Sequence, residues 1–390
     1  MTGEQIKVKL SRRGFIQGAA ATALATHPLA SLAKGSGKQL LFVGTQTSQT
    51  SKGIYSYSFD TATGELTQVA LAAEANNPTF LAFSPNKHFL FTCNEINNYE
   101  GERSGAVSSY SVDRKAAKLT KINEVSAKGP GTTHVGVDHT GRCVFGANYG
   151  GGSAVSFAVD PSGKLSEAVS FFKYEGHGPM PQQKGPHAHR VTVSPDNKYM
   201  FVNDLGLDSI HVYHLDSATA KLTPQDPPDW KAEPGAGPRS LLFHPNQKWA
   251  YCVNEVGSSV NVLDWDARKG VFTTKQLIST IPEGHQGPSA PSDIVMDKKG
   301  HFVYVANRLD DFMVSYSISP SDGKLTLMER TSCGGKTPRH IALDPSEKWL
   351  LVANQATDNL SVFARDAKTG KLANEGKNFP LSRPQCILFL

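Results

Sequence analysis

The chain has 390 residues and a formal net charge of +5, with Lys and Arg scattered singly rather than in runs interleaved with aromatics, which excludes a nucleic-acid surface. Its length admits two or three domains, or one large all-β domain. After the first thirty or so residues no segment is long and apolar enough to cross a membrane, so the mature chain is expected to be soluble and free of the bilayer.

In chain order, the first feature is SRRGFI at 11–16, where paired arginines precede an Ala-rich, mildly apolar stretch at 17–33. This arrangement resembles a twin-arginine export signal, with cleavage expected near Ala33 and a periplasmic or exported destination. Residues 1–33 are thus assigned to the leader and 34–390 to a single domain. The five cysteines have no paired spacing, and four sit inside apolar strand runs, so they are expected to be buried free thiols. With no CxxC or Cys/His cluster at ligand spacing, no metal and no cofactor are expected.

From residue 38 onward one unit recurs. Hairpins with a polar turn between two apolar runs occupy 80–95, 135–148, 191–204, 241–255, 294–308 and 341–355. A second type, closing on a TGKL-like turn, occupies 54–67, 107–120, 155–166, 210–223, 260–273, 313–326 and 360–373. The first type occurs six times and the second seven, and the missing hairpin can be assembled from 384–390 and 38–47. Four antiparallel strands cannot bury both faces alone, whereas seven such sheets packed radially can. The expected fold is therefore an all-β, seven-bladed β-propeller with one blade closed by N- and C-terminal strands. A ring closed by its own termini has no need of a partner, and a monomer is expected.

The start of the first strand and the end of the second lie at the same end of an antiparallel hairpin, so these positions from all blades share one mouth of the channel. They place His134, His187, His189, Arg239, Arg339 and His340 beside Glu95, Asp204, Glu255, Arg308 and Gln355. Arg grips carboxylate or phosphate through parallel bonds, and His and Glu can move protons near neutral pH. The asparagines that precede the second-strand ends (Asn94, Asn203, Asn254, Asn307, Asn354) read as turn residues.

The motifs GPHAH, DLGLDSI, GPRS, NEVGSSV, VYVANR and the C-terminal PRHIALDP with LLVANQATDNLSVFARD resemble the lactonase family of seven-bladed propellers, across 38–390. That family includes cofactor-independent 6-phosphogluconolactonase and a fungal 3-carboxymuconate cyclase. The resemblance implies a catalytic set of His187, Arg239, Glu255 and Arg308 and a small-molecule lactone as substrate; His189, His134 and Arg339, from their place at the same mouth, are substrate-binding candidates. The chain departs from the family pattern at Ser240, after the Arg of GPR, and at Ser292 and Asp293. The expected activity is metal-independent hydrolysis of a sugar lactone, phosphorylated or not. A YVTN-like binding propeller and a lactone-forming muconate cyclase are the rival readings.

Overall fold

A computed structural model describes residues 1–2, 37–226 and 229–390; the expected export leader lies outside the described residues, apart from its first two. Alternating runs of Val, Ile, Phe and Tyr form strands, and Asp/Gly turns set them into seven antiparallel sheets. Blades 1 to 6 span 78–126, 132–173, 188–231, 238–279, 290–332 and 338–380. Blade 7 joins Pro384–Phe389 as its innermost strand to Lys38–Thr45, Gly53–Asp60 and Glu65–Glu74. The seven-bladed ring closed by both termini is thus present as expected. Leu41 pairs with Phe389 and Val43 with Ile387 across the closure.

Seven apolar clusters lie between neighbouring blades, one to each interface. The cluster between blades 4 and 5 joins Tyr251, Val260 and Val262 to Ile294, Val303 and Val305. A recurrent lock sits at its rim. Gly323, at φ 76°, lies so close beneath the Trp249 ring that an added Cβ would come within 2.4 Å of it, and its carbonyl accepts the Tyr251 hydroxyl at 2.9 Å. Only glycine tolerates both that backbone conformation and that approach. All five cysteines are buried and free.

Two local expectations are corrected. The asparagines at the second-strand ends are not exposed turn residues; they are buried, and Asn94, Asn148 and Asn354 donate to the carbonyls of Asn76, Ala127 and Cys333. Those three satisfy backbone acceptors that burial would otherwise leave unpaired, whereas Asn254 donates to Ser259 and Asn261 and Asn307 to Thr280 and Ser289. The last strand of blade 6 is Lys377–Pro380 rather than the residues directly after the TGKL turn, because only the single bridge Arg365 to Leu372 forms there.

Candidate active site

In blades 1 to 6 the pairing of the first two strands slips by one residue near its start, passing over Thr79, Thr133, His189, Arg239, Ser292 and Arg339. In blade 7 the slip passes over Gln385. A bulge breaks the two-residue alternation of a strand, so neighbouring side chains turn to one side. Six of these seven residues line a cavity of about 30 Å³ on the channel axis, with Phe80, His134, Arg190, Asp293 and His340, each the residue that follows a bulge. The repeated bulge is what carries successive side chains of one strand into the channel.

Above this layer lie the residues that come directly after the second-strand asparagines. Glu255 and Arg308 meet there with Arg239: the same Glu255 oxygen, Oε2, is 2.7 Å from Arg239 Nε and 2.7 Å from Arg308 Nη2. Arg308 Nε also donates to the Ala290 carbonyl at 3.3 Å, which holds its plane. Arg339 belongs to the same group, with its charge felt by Arg308, Glu95 and Glu255. Burial pushes the Arg239 and Arg339 guanidinium groups below their ordinary value, and the neighbouring Arg308 adds to it. Three guanidinium groups crowd two carboxylates, Glu255 and Glu95, so the mouth carries excess positive charge and favours an incoming anion.

Burial alone would raise the Glu255 carboxyl, but Arg308, Arg239 and Arg339 outweigh it and hold it below the ordinary carboxylate range. A carboxyl held low in the folded state contributes stability that is present above its unfolded value, about 4.3, and lost as pH falls through its folded value. Glu255→Gln is therefore expected to be about 1–2 kcal/mol less stable than the wild type at neutral pH. That deficit should shrink below roughly pH 4, as urea titrations across pH 3–7 can measure. A deficit independent of pH would mean that the carboxylate charge does not matter there.

His187 lies in the same mouth, directly before the first strand of blade 3. Its Nδ1 is 3.0 Å from the Tyr149 carbonyl oxygen, and its ring stacks on the Tyr149 ring at 4.3 Å and 13°. A carbonyl can only accept, so Nδ1 carries a proton, and in the neutral ring Nε2 keeps the lone pair. His189 meets the Tyr149 ring edge-on at 5.5 Å, and burial, aided by Arg239, Arg339 and Arg308, drives its imidazole well below the ordinary value. His189 is thus neutral at physiological pH.

His134 lies deeper, buried against Phe80 at 4.0 Å, with Nδ1 accepting the Val191 N–H at 3.4 Å. It lines the cavity, beside an ion pair of Arg190 and Asp293 at 2.9 Å. Arg190 also donates to Ser240 at 2.6 Å, and Asp293 accepts from the Ile341 N–H. Two of the three positions that depart from the family pattern, Ser240 and Asp293, therefore share one guanidinium group.

Asp204 does not face the mouth. It is fully buried, and Oδ1 accepts the backbone N–H groups of His187, Gly206 and Leu207, while Oδ2 lies 3.5 Å from His211 Nε2. It braces the loop that presents His187. Tyr149, by contrast, was missed, although it follows Asn148 as Glu255 follows Asn254 and so occupies the position singled out in the other blades. Arg190 and Asp293 were missed because sequence alternation turns them from the channel, and only the bulge brings them in. Among the described residues no group of three His, Cys, Asp or Glu side chains is placed to hold a metal ion.

The model of the lactonase family, described as a seven-bladed β-propeller, matches residues 40–389. The chain is 35% identical to the 6-phosphogluconolactonase of Bacillus subtilis, over 90% of this chain and 99% of the relative. Among solved structures, the periplasmic gluconolactonase PpgL of Pseudomonas aeruginosa superposes with a TM-score of 0.86 at 32% identity, covering 90% of this chain and 99% of that one. A putative 6-phosphogluconolactonase from Bacteroides fragilis gives 0.85 at 30% identity, covering 92% and 100%. With the fold, the closure and the whole length of the ring in agreement, the chain belongs to the lactonase family of seven-bladed β-propellers.

Proposed function

We propose that the protein is a lactonase that hydrolyses an unphosphorylated sugar lactone, an aldonolactone, outside the cytoplasm. The hydrolase reading is supported by the similarity to proteins named 6-phosphogluconolactonase and to a periplasmic gluconolactonase. Export is supported by the paired arginines and Ala-rich stretch of 11–33 and by the periplasmic neighbour. Phosphorylated sugars are intracellular metabolites, which favours the unphosphorylated lactone for an exported enzyme.

The observation that carries the mechanism is the convergence of Arg239 and Arg308 on one oxygen of Glu255 beside the fixed tautomer of His187. Glu255 is the anchor. It holds two guanidinium groups in place while their remaining N–H groups are free to meet the lactone carbonyl. His187 Nε2 takes a proton from water as the water oxygen attacks the carbonyl carbon, and the guanidinium groups receive the oxyanion that forms. Each oxyanion donor of this kind is typically worth about 3 kcal/mol, and general-base help roughly 10²- to 10⁴-fold.

The test is proton release by the purified mature protein supplied with δ-gluconolactone, 6-phosphogluconolactone or 3-carboxymuconate, each corrected for its spontaneous reaction. The expected result is turnover of δ-gluconolactone with a kcat/KM above that for the phosphorylated lactone. Preference for 6-phosphogluconolactone would overturn the substrate, and loss of muconate absorbance would identify a cyclase. Absence of turnover on all three would make the protein a binding propeller.

A further inference from the structure

Hydrolysis of an aliphatic lactone needs two proton transfers, one from the attacking water and one to the ring oxygen that leaves. The residues discussed so far account for the first alone. We propose that Tyr149 is the general acid that protonates the leaving ring oxygen. This rests on the lactonase reading above and adds a catalytic residue to it.

Three observations place the phenol for that work. Tyr149 comes directly after Asn148 of the second strand of blade 2, the position that Glu255 holds after Asn254 in blade 4 and Arg308 after Asn307 in blade 5. Its ring is fixed from two sides, face to face with His187 at 4.3 Å and edge-on to His189 at 5.5 Å, while its carbonyl holds His187 Nδ1 at 3.0 Å. Its hydroxyl makes no hydrogen bond to the described residues and shares the electrostatic environment of Glu255, Arg239, Arg308 and Arg339. A partly buried phenol with no partner inside a charged mouth has a proton to give and nowhere in the protein to give it. Burial, and secondly Glu255, raise its pKa, so the group is neutral across the working range and retains that proton until an alkoxide appears.

The step balances. After water adds, the tetrahedral intermediate collapses: the bond between the acyl carbon and the ring oxygen breaks, its electron pair goes to the ring oxygen, and that oxygen takes the phenolic proton. The product is an open hydroxy acid, whose carboxyl proton ionises to solvent. The phenolate recovers a proton from solvent, and His187 releases to solvent the one it took. One residue pair, held by a single stack, thereby serves both ends of the reaction, His187 as acceptor and Tyr149 as donor.

Leaving-group chemistry separates this role from a structural one. Tyr149→Phe keeps the ring, the stack and the backbone carbonyl, and removes only the hydroxyl. The experiment measures kcat and KM of wild type and Tyr149→Phe on δ-gluconolactone, which must expel an alkoxide, and on dihydrocoumarin, which expels a phenolate that needs no proton. The expected result is a fall in kcat on the order of 10²-fold for δ-gluconolactone. The fall for dihydrocoumarin should stay under roughly threefold, with both KM values changed little. Equal falls on both substrates would overturn the proposal, since they would mean that the hydroxyl acts by holding His187 or the fold. No fall on either would overturn it as well. Wild-type protein inert on both lactones would remove the hydrolase reading and the acid role together, an outcome distinct from the other two.

Discussion

Deletion of residues 384–390 is expected to leave a chain that does not fold cooperatively. The strand it removes, Pro384–Phe389, is the innermost strand of blade 7, and it contributes to two of the seven interblade clusters at once. Ile387 and Phe389 pack with blade 6, and Cys386, Leu388 and Leu390 with blade 1. Burying one large apolar side chain contributes roughly 1.5–3 kcal/mol, so the two buried residues Cys386 and Ile387 with the three partly buried ones carry an appreciable part of a total stability of about 5–15 kcal/mol. The deletion also unpairs the backbone of Lys38–Thr45 from Leu41 to Thr45 and opens both interfaces of that blade to water. The measurement is urea unfolding followed by circular dichroism and size-exclusion chromatography. A single cooperative transition near that of the full chain would refute the closure argument. Ile387→Ala provides a graded counterpart, with an expected loss of about 2–5 kcal/mol and retained folding.

The closure was legible because it is a matter of counting. Six hairpins of one type against seven of the other leave two orphan strands at the ends, and only a ring can use them. Membership of the mouth was legible for the same kind of reason, since antiparallel pairing puts strand starts and strand ends at one end. Register was harder to read. A bulge shifts one residue at a time and leaves no mark in composition, so Arg190 and Asp293, which join His340 in the channel layer, could not be drawn from alternation, which sends every second side chain the other way. The Pro-X-X pattern at the strand starts, as in NPTF, GPRS, APSD, TPRH and RPQC, accompanies the bulge in five blades and is a signal that could have been used. Asp204 was misjudged for a different reason. Position puts a carboxylate at the mouth, but the N–H groups of Gly206 and Leu207 in its own loop and of His187 across the hairpin turn it inward, and hydrogen bonding of Asp to nearby backbone competes with any outward role.

His187→Ala is expected to lower kcat by roughly 10²- to 10⁴-fold with KM changed little, and to be rescued in part by imidazole added to the assay. The alternative base is Glu255, and the two differ in what their lone pairs are doing. One oxygen of Glu255 is shared by two guanidinium groups at 2.7 Å each, and the carboxyl is held below its ordinary range, so it is a weak base with little tendency to take a proton from water. His187 has its Nδ1 proton committed to the Tyr149 carbonyl and its Nε2 without a protein partner among the described residues, the arrangement that leaves a base ready. The pH dependence of kcat separates them. With His187 as base, His187→Ala removes the acid limb of the profile while Glu255→Gln keeps it. Glu255→Gln should still slow the reaction, because Arg239 and Arg308 lose the oxygen that aligns them, but with the acid limb unchanged in position. If instead Glu255→Gln abolished the acid limb and His187→Ala retained it with kcat within about tenfold of wild type, proton abstraction would belong to Glu255. His187 would then be a packing partner of Tyr149, and the stack would exist to aim the phenol alone.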